Sequence, residues 1–174
     1  MKRFYYLWIT AFIILLDQAT KLRVRYSMDL YESISVIGNF FRLTYVTNTG
    51  AAFSFSLGSD NINRIFFILS SCMAIIIFIY LLSRENRRIL QCGYALILGG
   101  AVGNLIDRIA YGHVVDFFDF QFFSFIMDRW PVFNIADSAV VVAVVLILID
   151  IFFPLEKKAE VNPQINFHTI EESL

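Results

Sequence analysis

The chain has 174 residues, of which 58% are hydrophobic and 17% are charged, and its formal net charge is −1 at pH 7. Soluble domains average about 45–50% apolar and about 25% charged residues, so this composition is that of a membrane protein. The near-neutral charge and the lack of a dense basic cluster exclude a nucleic-acid-binding protein.

Four segments are apolar and long enough to cross a bilayer, which takes about 20 helical residues. We expect transmembrane helices there, because lipid offers backbone groups no partner outside the helix itself. The segments cover residues 4–24, 62–83, 89–109 and 134–153. The first follows two basic residues but lacks a small-residue cleavage pattern, so we interpret it as an uncleaved span.

Two long connections separate these spans. In residues 26–61, the stretch FFRLTYVT at 40–47 alternates apolar with polar side chains, which predicts a β-strand. In residues 110–133, six phenylalanines lie between positions 117 and 125. They are typical of an aromatic belt at the membrane interface, and the alternative is a groove for a lipid substrate. Residues 155–174 are polar, and we expect a tail there.

An up-and-down arrangement of the four helices brings the polar residues to one leaflet. That side would receive Asp17, Lys21, Asn48, Asn104, Asp107, Arg108, Asp116, Asn134 and Asp137. The opposite side carries residues that we interpret as interfacial anchors, among them Arg87 and Asp150. Asp150 is about 20 Å from Asp137 along a helix, which excludes it from the same site.

Two helical motifs place polar side chains on one face. Asp17 and Lys21 are four residues apart, within pairing reach, and their plain interpretation is an ion pair at the end of a span. Asn104, Asp107 and Arg108 share a face of the third span. They form either a structural network or a set of hydrogen-bonding groups for a substrate, and spacing alone does not decide between these.

The stretches VVDFFDF at 114–120 and FNIAD at 133–137 bring carboxyl groups to the same end. Two carboxyls held close together cannot both ionise comfortably, so one keeps its proton. Such a pair can activate water and protonate a leaving group, as in aspartic peptidases. On spacing alone, Asp116 and Asp119 compete as the partner of Asp137. A helix cap or an interfacial charge is the plain alternative for each single aspartate.

Two other classes of function compete with hydrolysis. One is a transporter or proton relay in which Asp17, Asp107 and Asp137 carry ions, but their clustering at one leaflet argues against it. The other is a non-catalytic assembly or lipid-binding protein that uses glycine faces and the Phe-rich loop. No His/Cys cluster has ligand spacing, so we predict neither metal nor cofactor and interpret His113 as a loop residue.

Five motifs in order resemble those of the bacterial lipoprotein signal peptidase family, also called signal peptidase II. They are DQATK (17–21), NTGAAF (48–53), GGAVGNLIDR (99–108), VDF (115–117) and FNIAD (133–137). The resemblance implies an intramembrane aspartic peptidase that cuts a prolipoprotein just before its diacylglyceryl-modified cysteine. By motif it implies Asp116 and Asp137 as the catalytic pair, which decides the competition against Asp119.

The resemblance also implies roles for other residues and for partners. Substrate binding falls to Asn48, Gly50, Asn104, Arg108 and Asn134, and a supporting role falls to Asp17, Lys21 and Asp107. The implied partners are lipid-modified prolipoprotein signal peptides, membrane lipids and cyclic peptide inhibitors of the globomycin type, with no nucleic acid. We expect a monomer.

The fold class implied is an all-α membrane protein, with four transmembrane helices and a small extracytoplasmic β-domain between helices 1 and 2. Residues 1–154 would form one peptidase domain, with the connections 26–61 and 110–133 outside the cytoplasm. Lys and Arg divide equally, seven to each side, so charge leaves the orientation open. The resemblance places both termini, and the tail at 155–174, in the cytoplasm. The protein would then lie in the bacterial inner membrane with its active site facing the extracytoplasmic side.

Overall fold

Four α-helices and a small sheet make up the described part of the chain. The computed structural model describes residues 2–50, 59–122 and 129–153. A 3₁₀ helix at Lys2–Tyr6 precedes α1 (Leu7–Ser27), β1 (Ser33–Ile37), β2 (Phe41–Asn48), α2 (Asp60–Arg84), α3 (Arg88–Tyr111), β3 (Val114–Phe120) and α4 (Ile135–Phe152). The expected tail, and parts of the two long connections, lie outside the described residues.

Three of these helices, α2, α3 and α4, are long and apolar enough to cross a membrane by length and composition. Helix α1 has 21 residues and is about 31 Å long. Its second half carries several charged residues, including Asp17 and Lys21. The mostly helical membrane fold is therefore confirmed, while the fourth span stays a prediction.

Helix α3 packs against each of the other three helices. Glycines make the approaches close, because a Cβ at Gly99 would lie 2.7 Å from the Cβ of Ile13, and one at Gly100 would lie 2.5 Å from the Ala136 carbonyl oxygen. Small residues allow such contacts between helix backbones. The crossing sets the polar face of α3 against the first turn of α4.

The sheet is antiparallel, with β2 between β1 and β3. Residue Ile34 of β1 is opposite Leu43, and Asp116 of β3 is opposite Val46. The predicted strand at 40–47 corresponds to β2. The β-structure expected between helices 1 and 2 is present as β1 and β2, and the sheet also contains β3 from the connection between α3 and α4, which was not predicted.

Strand β3 gives no signal in the sequence pattern because its side chains do not alternate. Val114, Val115 and Phe117 are all buried, so successive positions on both faces are apolar. Val115 and Phe117 pack with Val24 of α1 in a small core. This core joins the sheet to the end of α1 and gives β3 a fixed position.

The Phe-rich stretch contributes to the sheet as well. The ring of Phe120 stacks on those of Phe41 and Phe122, with centroids 4.5 Å and 5.1 Å apart. Phe123 and Phe125 lie outside the described residues. Whether these rings face a membrane interface or a lipid substrate stays a prediction.

An ion pair joins two elements at the opposite end of the helices. Asp150 of α4 is only 1% exposed, and its Oδ2 lies 2.5 Å from Nη1 of Arg87 in the turn between α2 and α3. The interpretation of Asp150 as an interfacial anchor is therefore wrong. Its charge is buried and paired, which ties α4 to the turn between α2 and α3.

Candidate active site

A cavity of about 1040 Å³ lies between the sheet and the adjoining ends of α3 and α4. Much of its wall is apolar, with Val46, Val114, Phe133 and Val140 among the lining residues. Six residues predicted for the site also line it: Asn48, Gly50, Asn104, Arg108, Asp116 and Asp137. The structure therefore brings both carboxyl groups of the predicted pair to one space.

Asp116 lies in β3 and is 2% exposed. Its Oδ1 accepts a hydrogen bond from Nδ2 of Asn134 at 2.6 Å, and its Oδ2 accepts one from Nδ2 of Asn48 at 3.1 Å. Burial, and then the nearby charge of Asp137, raise the pKa of Asp116 from 3.8 to about 7, against the opposing effect of these hydrogen bonds. A carboxyl with this pKa can hold a proton or release it near neutral pH.

Asp137 occupies the first turn of α4, where a capping box holds it. The side chain of Asn134 accepts a hydrogen bond from the Asp137 amide at 2.9 Å, while Oδ2 of Asp137 accepts one from the Asn134 amide at 3.2 Å. Its Oδ1 accepts a hydrogen bond from Nδ2 of Asn104 at 2.8 Å. The positive end of the helix dipole also favours negative charge here.

The orientation of the Asn104 amide follows from its neighbours. Lys21 donates to Oδ1 of Asn104 at 2.9 Å, and Asn134 donates to the same oxygen at 3.1 Å. A lysine ammonium has only donors, so the amide oxygen must face Lys21. The NH₂ group is left to face Asp137, which accepts from it.

Arg108 puts a cation beside the two carboxyls. Its Nη2 donates to the Gly50 carbonyl at 3.3 Å, and its guanidinium carbon lies 5.0 Å from the centre of the Phe67 ring. Its Nε is buried and has no hydrogen-bond partner among the described residues. Arg108 lines the cavity, while this nitrogen is covered by surrounding protein atoms.

Asp119, the competing candidate, does not line the cavity. It is three residues from Asp116 on the same strand, so the two side chains point to opposite faces. Its carboxylate pairs with Nε of Arg129 at 2.5 Å and accepts a hydrogen bond from Thr44 at 2.7 Å. The geometry thus separates two aspartates that spacing alone left equal.

The three residues predicted to be supporting form one buried cluster behind the cavity. Nζ of Lys21 lies 2.8 Å from Asp17 and 3.1 Å from Asp107. Gln18, which sequence reasoning missed, donates to both carboxylates at 3.2 Å and to the Gly103 carbonyl at 3.1 Å. The signal for Gln18 was available, since an amide beside a charged residue within an apolar helix needs buried partners.

In the part of the chain that the structure describes, no three His, Cys, Asp or Glu side chains are grouped so as to hold a metal ion. His113 lies between α3 and β3, with its ring near that of Tyr111. Burial, and then the charge of Arg25, lower the pKa of His113 below 6.5, with Asp107 opposing them. The imidazole is therefore mainly neutral near pH 7.

Comparison with known proteins decides the family. Residues 9–153 match the family model described as "Signal peptidase (SPase) II". The chain belongs to the signal peptidase II family. The lipoprotein signal peptidase of Alteromonas mediterranea is 42% identical over 159 residues, covering 90% of this chain and 85% of that protein. That of Geobacter sulfurreducens is 43% identical over 148 residues, covering 84% and 90%.

The chain is also similar in fold to solved structures of bacterial membrane enzymes. A bacterial membrane enzyme determined at 2.3 Å resolution is similar with a TM-score of 0.77 and 31% identity, covering 88% of this chain and 93% of that one. A second, at 1.9 Å, has a TM-score of 0.75 and 32% identity, with 86% and 93% coverage. The predicted family is confirmed. As a signal peptidase II, the chain is a peptidase of the bacterial inner membrane that processes prolipoprotein signal peptides.

Proposed function

We propose that this chain is an aspartic endopeptidase that removes the signal peptide from diacylglyceryl-modified prolipoproteins, cutting just before the lipidated cysteine. Asp116 and Asp137 would be the catalytic pair. The observation that supports this is their shared setting, because both line one cavity and both are held by Asn134. One carboxyl comes from a strand and the other from a helix, and the cavity is where the two elements meet.

In this mechanism Asp137 is the base and Asp116 carries the proton. The helix N-terminus stabilises an ionised Asp137, while burial and the charge of Asp137 favour a protonated Asp116. Water gives a proton to Asp137 and attacks the scissile carbonyl, whose oxygen takes the proton of Asp116. The tetrahedral intermediate then breaks its C–N bond. The leaving nitrogen takes a proton from Asp137, and one of the two hydroxyl groups on the carbon returns a proton to Asp116. General acid–base help of this kind contributes about 10²–10⁴-fold.

The substrate backbone would be held in an extended form beside this pair. Arg108 supports this role because it lines the cavity and brings a cation near both carboxyls. Asn48, Gly50, Asn104 and Asn134 would supply further hydrogen bonds or orient the carboxyls. The apolar side of the cavity suits the signal peptide and its lipid chains, and also membrane lipids and cyclic peptides of the globomycin type.

We further propose that α1 is a fourth span. Its charged residues Asp17 and Lys21 are 0% and 1% exposed, because α3 and α4 cover them. Their charges therefore do not face hydrocarbon, which removes the main cost of placing them in a membrane. Residues 1–154 would then be one monomeric domain with both termini in the cytoplasm and the cavity at the extracytoplasmic side.

The test is cleavage of a prolipoprotein with and without its diacylglyceryl group by purified enzyme. We expect the wild type to cut only the lipidated form, and Asp116→Asn and Asp137→Asn to be inactive although folded. Asp119→Asn is the matched control on the same strand and should keep cutting. EDTA should leave the rate unchanged. Wild-type turnover in either variant of the pair, or loss of activity with EDTA that a divalent ion restores, would contradict the mechanism.

A further inference from the structure

Each aspartate of the proposed pair is preceded by a residue whose backbone amide donates to a buried carboxylate. Oδ1 of Asp17 accepts a hydrogen bond from the amide of Ala136 at 3.0 Å, and Ala136 precedes Asp137. Oδ2 of Asp107 accepts one from the amide of Val115 at 3.0 Å, and Val115 precedes Asp116. The two contacts have the same form, although one reaches a helix and the other a strand.

Lys21 joins these two carboxylates. Its Nζ lies 2.8 Å from Asp17 and 3.1 Å from Asp107, and its third contact is Oδ1 of Asn104 at 2.9 Å. An ammonium has three N–H donors, so all three are used. Lys21 is 1% exposed, and the two carboxylates are exposed to the same extent or less. Water therefore does not compete for these bonds.

We propose that Asp17, Lys21 and Asp107 form a carboxylate clamp, whose function is to fix the separation and orientation of Asp116 and Asp137. The clamp rests on the proposed function, since it gives these three residues a part in that reaction. They are positioning residues, because they act on the pair through backbone amides and through Asn104. Gln18 closes the clamp by donating to both carboxylates.

The need for a clamp follows from where the two aspartates come from. Strand β3 and helix α4 are different elements, and residues 121–134 separate them along the chain. Helices α1 and α3 pack directly against each other, so Asp17 and Asp107 supply a fixed frame. The Ala136 amide lies in the first turn of α4, where an amide has no acceptor within the helix. Asp17 provides that acceptor and thereby fixes the position of the first turn of α4, which carries Asp137.

An ion pair that only stabilised the fold would not need these contacts. Lys21 could neutralise Asp17 and Asp107 without either carboxylate reaching the chain next to an aspartate of the pair. Both carboxylates use an oxygen for that purpose. Lys21 also sets the amide of Asn104, whose NH₂ group faces Asp137. The cluster thus acts on Asp137 through the Ala136 amide and through Asn104. It acts on Asp116 through the Val115 amide.

Asp17→Asn is the sharpest test, because an amide has one acceptor oxygen where a carboxylate has two. In the variant, either the Ala136 amide or Lys21 must face the NH₂ group of the introduced asparagine. Lys21 keeps Asp107 as a partner, so the change leaves no unpaired cation. A displacement of about 1 Å at a reacting group can lower a rate by roughly 10²-fold. We expect kcat to fall by about that factor while KM for the lipidated substrate stays within about twofold.

The pH profile gives a second readout. The charged groups that face Asp116 are Asp137, Lys21 and Arg108. If Asp137 moves away from Asp116 in Asp17→Asn, its charge raises the pKa of Asp116 less. The alkaline limb of the kcat profile should then move to lower pH. A general loss of stability would lower activity without moving this limb.

Asp150→Asn is the matched control. It also removes one carboxylate from a buried ion pair, and on the same helix as Asp137, but at the other end. We expect this variant to keep wild-type kcat and pH profile. If Asp17→Asn does not fold, Asp107→Asn replaces it with the same expected readouts, because it removes one acceptor beside the Val115 amide and leaves Lys21 paired with Asp17.

The results separate the two proposals. Inactive Asp116→Asn and Asp137→Asn, together with wild-type kcat in Asp17→Asn, would overturn the clamp alone. An equal loss in Asp17→Asn and Asp150→Asn, or a lower kcat with an unmoved alkaline limb, would also overturn it. Turnover in Asp116→Asn or Asp137→Asn would overturn the proposed function and the clamp with it.

Discussion

Replacing Asp116 by asparagine should make the stability of the protein less dependent on pH. Burial and the charge of Asp137 raise the pKa of this carboxyl from 3.8 to about 7 in the folded protein. Between these values the folded chain binds a proton that the unfolded chain has released. The contribution of Asp116 to the free energy of unfolding is therefore full below about pH 4 and is lost as the pH rises to about 7.

The size of the effect follows from the pKa values. Each pH unit between them corresponds to about 1.4 kcal/mol of unfolding free energy. The wild type therefore loses about 4 kcal/mol of stability as the pH rises through this range, and Asp116→Asn, which has no carboxyl there, does not. The amide also brings a cost that does not depend on pH. Asn48 and Asn134 both donate to Asp116, and one of them would face the NH₂ group of the replacing side chain at a cost of about 1–3 kcal/mol. The pH-dependent part is separable because this cost is constant.

The assay is denaturant unfolding of the detergent-solubilised protein between pH 4 and pH 8. We expect the stability of Asp116→Asn relative to wild type to rise by about 4 kcal/mol across this range. Asp137→Asn is the companion variant, because it removes the second cause of the raised pKa and leaves burial. Its stability should fall with pH less than that of the wild type. A stability difference between Asp116→Asn and wild type that stayed constant with pH would refute the reasoning.

Two further predictions concern the cavity and the helix crossing. Asn48→Ala removes a hydrogen-bond donor that favours the ionised form of Asp116. The alkaline limb of the pH profile of cleavage should therefore move up by about one pH unit. A downward move would contradict the assignment of the proton to Asp116. Gly100→Ala places a Cβ 2.5 Å from the Ala136 carbonyl oxygen and should lower the free energy of unfolding by about 1–3 kcal/mol. A Cβ at Gly93 would lie 3.2 Å from a side-chain carbon of α4, so Gly93→Ala should lower the free energy of unfolding less than Gly100→Ala does. Equal losses in the two variants would argue against the backbone contact as the cause of the destabilisation.

The helices were predictable from sequence to within a few residues because apolar length alone marks them. The predicted segment at 62–83 corresponds to α2 at Asp60–Arg84, and that at 89–109 to α3 at Arg88–Tyr111. The strands were harder. Strand β2 alternates and is marked by its sequence, whereas β3 is apolar on both faces and β1 is short and exposed. Strand β3 therefore gives no signal with a period of two, and in β1 the alternation covers only the four residues from Ser33 to Val36.

The polar residues of the site were predictable as a set, since helix topology and motif order place them at one end. The Asp17–Lys21 ion pair followed from the spacing of the two residues, but the pairings between different elements did not. Sequence spacing gave no reason to connect Asp17 with the Ala136 amide, 119 residues away. It also could not orient the Asn104 amide, which depends on Lys21 from another helix. The interpretation of Asp150 was wrong because its partner Arg87 lies 63 residues earlier, in a turn that resembles an exposed loop.

The pairing of β2 with β3 has a consequence for the newly made chain. Asn48 reaches Asp116 across 68 residues, and Asp137 follows on the last helix described. A nascent chain that ends after α3 therefore has most of the residues of the protein but no pair of facing carboxyls. On the proposed mechanism, such a chain would not hydrolyse the membrane proteins around it until α4 had joined the other helices.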